Sequence, residues 1–180
     1  LPADGSDSII NVKIIEEGQE VMLFTRKGHA IRFNSKDVRP MGRSSYGVKG
    51  ADLSSEDDVV SLEPVPMNGK TTILTITEKG YGKRSNLDDY RKTARGSKGV
   101  ITLKVTEKTG KINGALSVDD KDSIIATTKK GSMIRTNMKD LRIMGRATSG
   151  VRVVRLKDGD KVVDVVKVPR DDLKVQETLN

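Results

Sequence analysis

The sequence has no cysteine and no tryptophan, and only two Phe, three Tyr and one His among 180 residues. Without thiols there are no disulfides and no thiolate metal sites, a usage that fits a reducing cytosol. His29 stands alone, with no second ligand beside it, so no metal centre is expected. No apolar run approaches the roughly 18 residues of a membrane span, and no membrane partner is expected. The start, LPADGSDSII, lacks the basic and apolar segments of a signal peptide and reads as the cut edge of a longer chain. Helical periodicity is missing throughout. With so few aromatics, the core must be built from Val, Ile and Leu.

What the chain has in quantity is charge. Charged residues make up 32% of it, with a net charge of +8. That balance points to a polyanionic partner and says nothing about fold.

It also has repetition. MGRSSYGVKG at 41–50 is nearly rewritten as MGRATSGVRV at 144–153, and ARGSKGVI at 94–101 is a looser third copy. Aligned on the pairs Lys27-Gly28, Lys79-Gly80 and Lys130-Gly131, the glycines lie 52 and 51 residues apart. Gly47, Gly99 and Gly150 keep the same spacing, as do Val48, Val100 and Val151. A register held across whole units marks a repeat architecture.

Each unit reads as short strands. VMLFT (21–25), TILTIT (72–77) and SIIATT (123–128) are apolar or Thr-rich with little alternation, as in a strand covered on both faces. The Lys-Gly turn follows, then HAIRF, YGKRS and SMIRT as second strands. A polar connection, the Gly-Arg/Gly-Val loop and a third strand come next. DVVSL (58–62), GALSV (114–118) and KVVDVV (161–166) close the units. Four strands in about 50 residues is the size of a propeller blade. The expected fold is all-β, a propeller-like arc over 1–168 with repeats at about 19–70, 71–121 and 122–168. SIINVKI at 8–14 is expected to be an orphan closing strand, and 169–180 a C-terminal tail. Four closing strands for three hairpins mean either a missing neighbour or strands borrowed between repeats.

Charge is segregated inside the repeat. Segments 26–49, 78–101 and 129–152 hold 21 of the 33 basic residues and five of the 25 acids, a net of +16 against −8 elsewhere. Lys27, Lys79 and Lys130 share the turn, and Arg32, Arg84 and Arg135 the second strand. Arg39, Arg91 and Arg142 share the connection, and Arg43, Arg95 and Arg146 the loop, where Lys98 also sits. Any one of these could be structural, snorkelling over apolar surface or paired with Asp37, Asp89 or Asp140. Four columns without an acid point instead to a basic track on the rim, and the planar arginine fork suits phosphate. Duplex DNA, with one charge per roughly 1.7 Å of axis, is the natural complement.

Catalytic chemistry is hard to find. Glu56-Asp57-Asp58 and Asp119-Asp120 read as solvated loops, Ser44-Ser45 has no His partner, and GYGKRS at 80–85 lacks the P-loop pattern. Tyr46, Tyr81 and Tyr90 do not recur at equivalent positions. No active site and no cofactor are expected in this chain.

The units VMLFTRKGHAIRF…MGRSSYGVKGADL, ILTITEKGYGKRS…ARGSKGVITLKV and IIATTKKGSMIRT…MGRATSGVRVVRL resemble the family of DNA gyrase A C-terminal domains, over about residues 8–168. The corresponding domain of topoisomerase IV is similar but more degenerate. The resemblance implies a β-pinwheel, usually of six blades that exchange strands, with DNA bent around a basic outer rim in support of ATP-driven negative supercoiling. The family's Gln-Arg-Arg-Gly-Gly-Lys-Gly box is absent, and 94–99 only partly echoes it, so the chain reads as the later half of such a domain. The implied partners are duplex DNA, the rest of gyrase A, and gyrase B, in a cytoplasmic, nucleoid-associated setting. ATP and Mg would belong to other parts of that assembly, and pairing of two half-rings is open to the piece. The alternative from another class is a propeller scaffold for an acidic protein, which would need apolar anchors that the basic columns lack.

Overall fold

The computed structural model describes residues 8–67 and 71–168. The first repeat builds β1 (Glu20–Thr25), β2 (His29–Asn34) and β3 (Val59–Pro64). The second builds β4 (Thr72–Thr77), β5 (Tyr81–Asn86), β6 (Val100–Ile101) and β7 (Ile112–Val118). The third builds β8 (Ser123–Thr128), β9 (Met133–Asn137), β10 (Val151–Arg152) and β11 (Val162–Val168). All pairings between these strands are antiparallel. Among the described residues no helix is long and apolar enough to cross a membrane.

The hairpin of each unit turns at its Lys-Gly pair, and one threonine fixes the turn. Thr25, Thr77 and Thr128 are buried at the end of the first strand. Their hydroxyls accept from the backbone N–H of His29, Tyr81 and Ser132 at 3.2, 3.2 and 3.1 Å. The pairing with the closing strand slips by one residue at this same place, at Phe24/Thr25, Ile76/Thr77 and Val162/Asp164. Such a bulge raises the local twist.

The third strand does not stay in its own unit. Sheet order is β3-β1-β2-β6, then β7-β4-β5-β10, then β11-β8-β9. β6 of the second repeat pairs with β2 of the first, His29 opposite Ile101. β10 of the third repeat pairs with β5 of the second, Val151 opposite Gly82. Of the two possibilities left open by the sequence, strand borrowing is the observed one for these strands. Glycine makes the crossing feasible. Gly99 and Gly150 have φ of 72° and 76°, and a Cβ on either would fall on the carbonyl oxygen of Ala30 or Gly82.

Sheets stack face to face. Met22, Phe24 and Ala30 of the first meet Ile73, Tyr90 and Ala115 of the second. Leu74 and Ile76 meet Ile124, Ala126 and Met138 at the next boundary. Each fully buried aliphatic side chain contributes about 1.5–3 kcal/mol. β4 is buried along its whole length, as expected of a strand covered on both faces. The closing strands β3, β7 and β11 lie side by side at the inner edge, where Ser61 Oγ donates to the Ala115 carbonyl at 2.9 Å. β6 and β10 lie at the outer edge.

The segment 8–14 corrects one expectation. It forms no strand; Ile9, Val12 and Ile14 are 67%, 79% and 99% exposed. A closing strand needs the first strand of its own hairpin as a partner, and among the described residues β1, β4 and β8 are already paired on both sides. The 169–180 tail lies outside the described residues.

Candidate nucleic-acid interface

The polar connection after each second strand folds into one 3-10 turn, at Ser35–Asp37, Leu87–Asp89 and Met138–Asp140. The next residue turns inward: Tyr90 and Leu141 are buried, and Val38 is half-buried. The residue after it is then thrown outward, and that residue is arginine every time. Arg39, Arg91 and Arg142 are exposed and make no hydrogen bond or ion pair to protein among the described residues. Arg43 and Lys98, on the loops, are exposed and likewise make neither. These five side chains are free to meet an anion.

The other columns are committed to the fold. Arg32 reaches from β2 into the second repeat, with Nη1 donating to the Leu87 and Tyr90 carbonyls at 3.0 and 2.9 Å and Nε to Glu20 at 2.6 Å. Arg84 repeats the reach, with Nη1 on the Met138 carbonyl at 2.6 Å and Nε on Thr72 Oγ1 at 3.0 Å. It also pairs with Asp120 at 2.8 Å. Arg84 is only 2% exposed, so the sequence-based assignment of this residue to the rim is corrected: its fork is consumed by the blade boundary. Arg135, the last of the column, is exposed and bonded through Nε to Ser123 Oγ at 3.0 Å.

The loop arginines are half committed. Arg95 donates from Nε to the Asp37 carbonyl at 3.1 Å and from Nη1 to the Lys49 carbonyl. Arg146 makes the same pair of bonds one blade on, to Asp89 at 2.9 Å and Ile101 at 2.8 Å. Both remain half-buried, pinning each loop to the preceding repeat. The turn lysines tie the hairpin tips to the loops before the closing strands: Lys27 to the Ser55 carbonyl, Lys79 to Glu107, and Lys130 to Asp158 at 2.6 Å. Of the thirteen residues read as candidates, the structure therefore leaves Arg39, Arg43, Arg91, Lys98 and Arg142 free, and buries Arg84.

Some exposed bases escaped the sequence reading. Lys36 and Lys139 sit on the 3-10 turns, and Lys104 and Arg155 follow the donated strands. Their side chains have no protein partner among the described residues. The signal existed, since each pair is in register, but the third member is Asp88 in one column and Asp52 in the other. A column interrupted by an acid does not stand out.

Tyr81 forms a second cationic feature at the hairpin tip of the second repeat. The Arg152 guanidinium lies 5.4 Å and Lys108 Nζ 6.0 Å from its ring centroid. Arg152 Nη2 donates to the phenol oxygen at 3.1 Å, and that bond lowers the phenol pKa. Among the described residues no group of three or more His, Cys, Asp or Glu is placed to hold a metal ion.

Comparison with known proteins gives this geometry a family. The model of the "DNA gyrase C-terminal domain, beta-propeller" matches residues 19–66, 71–119 and 122–169, one match per repeat. The DNA gyrase A protein of Chlamydia pneumoniae is 42% identical over 170 residues, covering 94% of this chain and 20% of the relative. That of Escherichia coli K12 is 41% identical over 162 residues, covering 90% of this chain and 18% of the relative. The chain thus spans about a fifth of the length of the curated relatives it matches. A solved DNA gyrase A C-terminal domain superposes with a TM-score of 0.80 at 31% identity, covering 86% of this chain and 52% of that one. The C-terminal domain of DNA topoisomerase IV shares the fold, with a TM-score of 0.87 at 24% identity over 99% of this chain and 57% of its own. The chain belongs to the family of DNA gyrase C-terminal β-propeller domains.

Proposed function

We propose that this chain binds duplex DNA along its outer edge and bends it, as the wrapping arm of a type IIA topoisomerase of the gyrase kind. One observation carries the reading. Arg39, Arg91 and Arg142 occur once per blade, all exposed and all without a protein partner among the described residues. Arginine held in register but left unpaired is what evenly spaced phosphates require.

The chemistry is electrostatic. Each free guanidinium donates two parallel N–H bonds to a phosphate and displaces condensed counterions. Because the side chains repeat with the blades, a duplex that follows them must curve. Bending 20–30 bp costs on the order of 1–6 kcal/mol, which several phosphate contacts offset. Such contacts position DNA without reading bases, so sequence preference follows bendability. The committed arginines serve indirectly: Arg32 and Arg84 fix the angle between neighbouring blades, and Arg95 and Arg146 fix the loops that carry Lys98 and Arg142.

In this reading the chain supplies no catalytic group. Strand passage, ATP and Mg belong to the rest of gyrase A and to gyrase B, in the cytoplasm. The test is binding to a fluorescent duplex of about 40 bp across a salt series, with energy transfer between its ends. Log K falling with log salt at a slope of about −7 to −9, with rising transfer, supports wrapping through eight to ten phosphates. No binding at moderate salt overturns the reading and favours an acidic protein partner.

A further inference from the structure

The second repeat departs from the other two at one buried position. Ile31 and Ile134 occupy equivalent places on β2 and β9, but on β5 the residue is Lys83. Its side chain is fully buried, at 0% exposure. Thr75, opposite it on β4, and Ser85, two residues along, are buried as well. An ammonium in such a place needs compensation. Lys83 Nζ finds it in the Gly145 carbonyl at 2.6 Å and the Arg146 carbonyl. Both belong to the third repeat's Gly-Arg loop, which crosses over β5 on its way to β10.

The loop is therefore held from two sides. The Arg146 side chain bonds outward to the Asp89 and Ile101 carbonyls, while Lys83 bonds from below to the backbone of the same residue. At the preceding boundary Arg95 makes the equivalent outward bonds, but the residue beneath is Ile31, which has no donor to offer. We propose that Lys83 is a positioning residue, a buried cationic clamp that sets the third repeat's loop, and with it the adjoining Arg142, against the DNA backbone. The proposal rests on the DNA-binding reading above for its functional consequence and on the geometry alone for the clamp.

The clamp carries a proton with consequences. Burial first, and then the Arg146 charge, lower the Lys83 pKa to about 8, with Asp89 opposing. Arg146 from the loop and Asp89 from the 3-10 turn are the charged groups that act on it. A phosphate arriving over the loop favours the ammonium, so DNA and the proton bind cooperatively. If DNA raises this pKa by one unit, affinity falls about fivefold between pH 7 and pH 9.

The experiment compares the unmodified chain with Lys83→Ile, the residue the other repeats use, and Lys83→Arg. Amide hydrogen exchange without DNA reads the clamp, and DNA affinity from pH 7 to 9 reads its consequence. Lys83→Ile should keep its fold, speed exchange at 146–149, lower DNA affinity at pH 7 about three- to tenfold and flatten the pH profile. Lys83→Arg should restore most of the affinity while leaving the profile flat. Unchanged exchange at 146–149 in Lys83→Ile overturns the clamp. Faster exchange with unchanged affinity and an unchanged pH profile overturns the positioning role. Absence of DNA binding by the unmodified chain points instead to failure of the DNA-binding reading, and exchange then still decides the clamp.

Discussion

Arg146 Nη1 donates to the carbonyl of Ile101 at 2.8 Å, and Arg95 makes the corresponding bond to Lys49 one blade earlier. The Arg146 bond joins a loop to β6, the edge strand of a sheet that the loop's own repeat did not begin. It accounts for the arginine at this loop position in the second and third repeats. The arginine pins a crossing that the following Gly-Val pair then completes as β6 or β10.

Removal of the free column should separate binding from stability. The triple substitution Arg39→Ala, Arg91→Ala, Arg142→Ala removes three phosphate contacts and should make the salt slope shallower by about 2.7. Thermal melting should move little, since exposed side chains without partners contribute within about 0.5 kcal/mol each. A salt series with a parallel melt checks both.

Arg84→Ala should do the reverse. It leaves the Met138 carbonyl without its donor inside a blade boundary and removes the bonds to Thr72 and to the exposed Asp120. The expected loss is about 2–4 kcal/mol of unfolding free energy, read by urea denaturation. An intact Arg84→Ala protein with native stability would show the boundary to be held by apolar packing alone.

Gly99→Ala or Gly150→Ala should break strand donation. Each glycine has a positive φ, and a methyl group would fall on a neighbouring carbonyl oxygen. A cost of about 2–4 kcal/mol is expected, with faster amide exchange at Ile101 or Arg152 on the donated strand.

Glu20 should give the fold an acid limit. Burial pushes its pKa up, but hydrogen bonds from Lys92 and Arg32 outweigh it and hold the pKa below 4.5. A carboxylate with a folded pKa below its unfolded one stabilises fully above the unfolded value. That contribution is lost as pH falls from about 4.5 through the folded pKa. Denaturation between pH 6 and 3 should show this decline, and Glu20→Gln should flatten it.

The repeat, the all-β class and the hairpins at Lys27-Gly28, Lys79-Gly80 and Lys130-Gly131 were determined by the sequence, because each depends on local chemistry. Turns need glycine, strands covered on both faces need unbroken apolar or Thr-rich runs, and both are written within a few neighbouring residues. The sequence also identified the columns in which basic residues recur.

Only the tertiary structure divided those columns. Arg39 and Arg84 are both in-register arginines, yet one is free and the other is 2% exposed. What separates them is contact with residues more than 50 positions away, as with Met138 and Leu141 for Arg84. The destination of β6 and β10, the absence of a strand at 8–14 and the burial of Lys83 depend in the same way on the neighbouring blade. A side chain's desolvation and its hydrogen-bond partners are properties of the space it enters, and that space is formed only when the repeats stack.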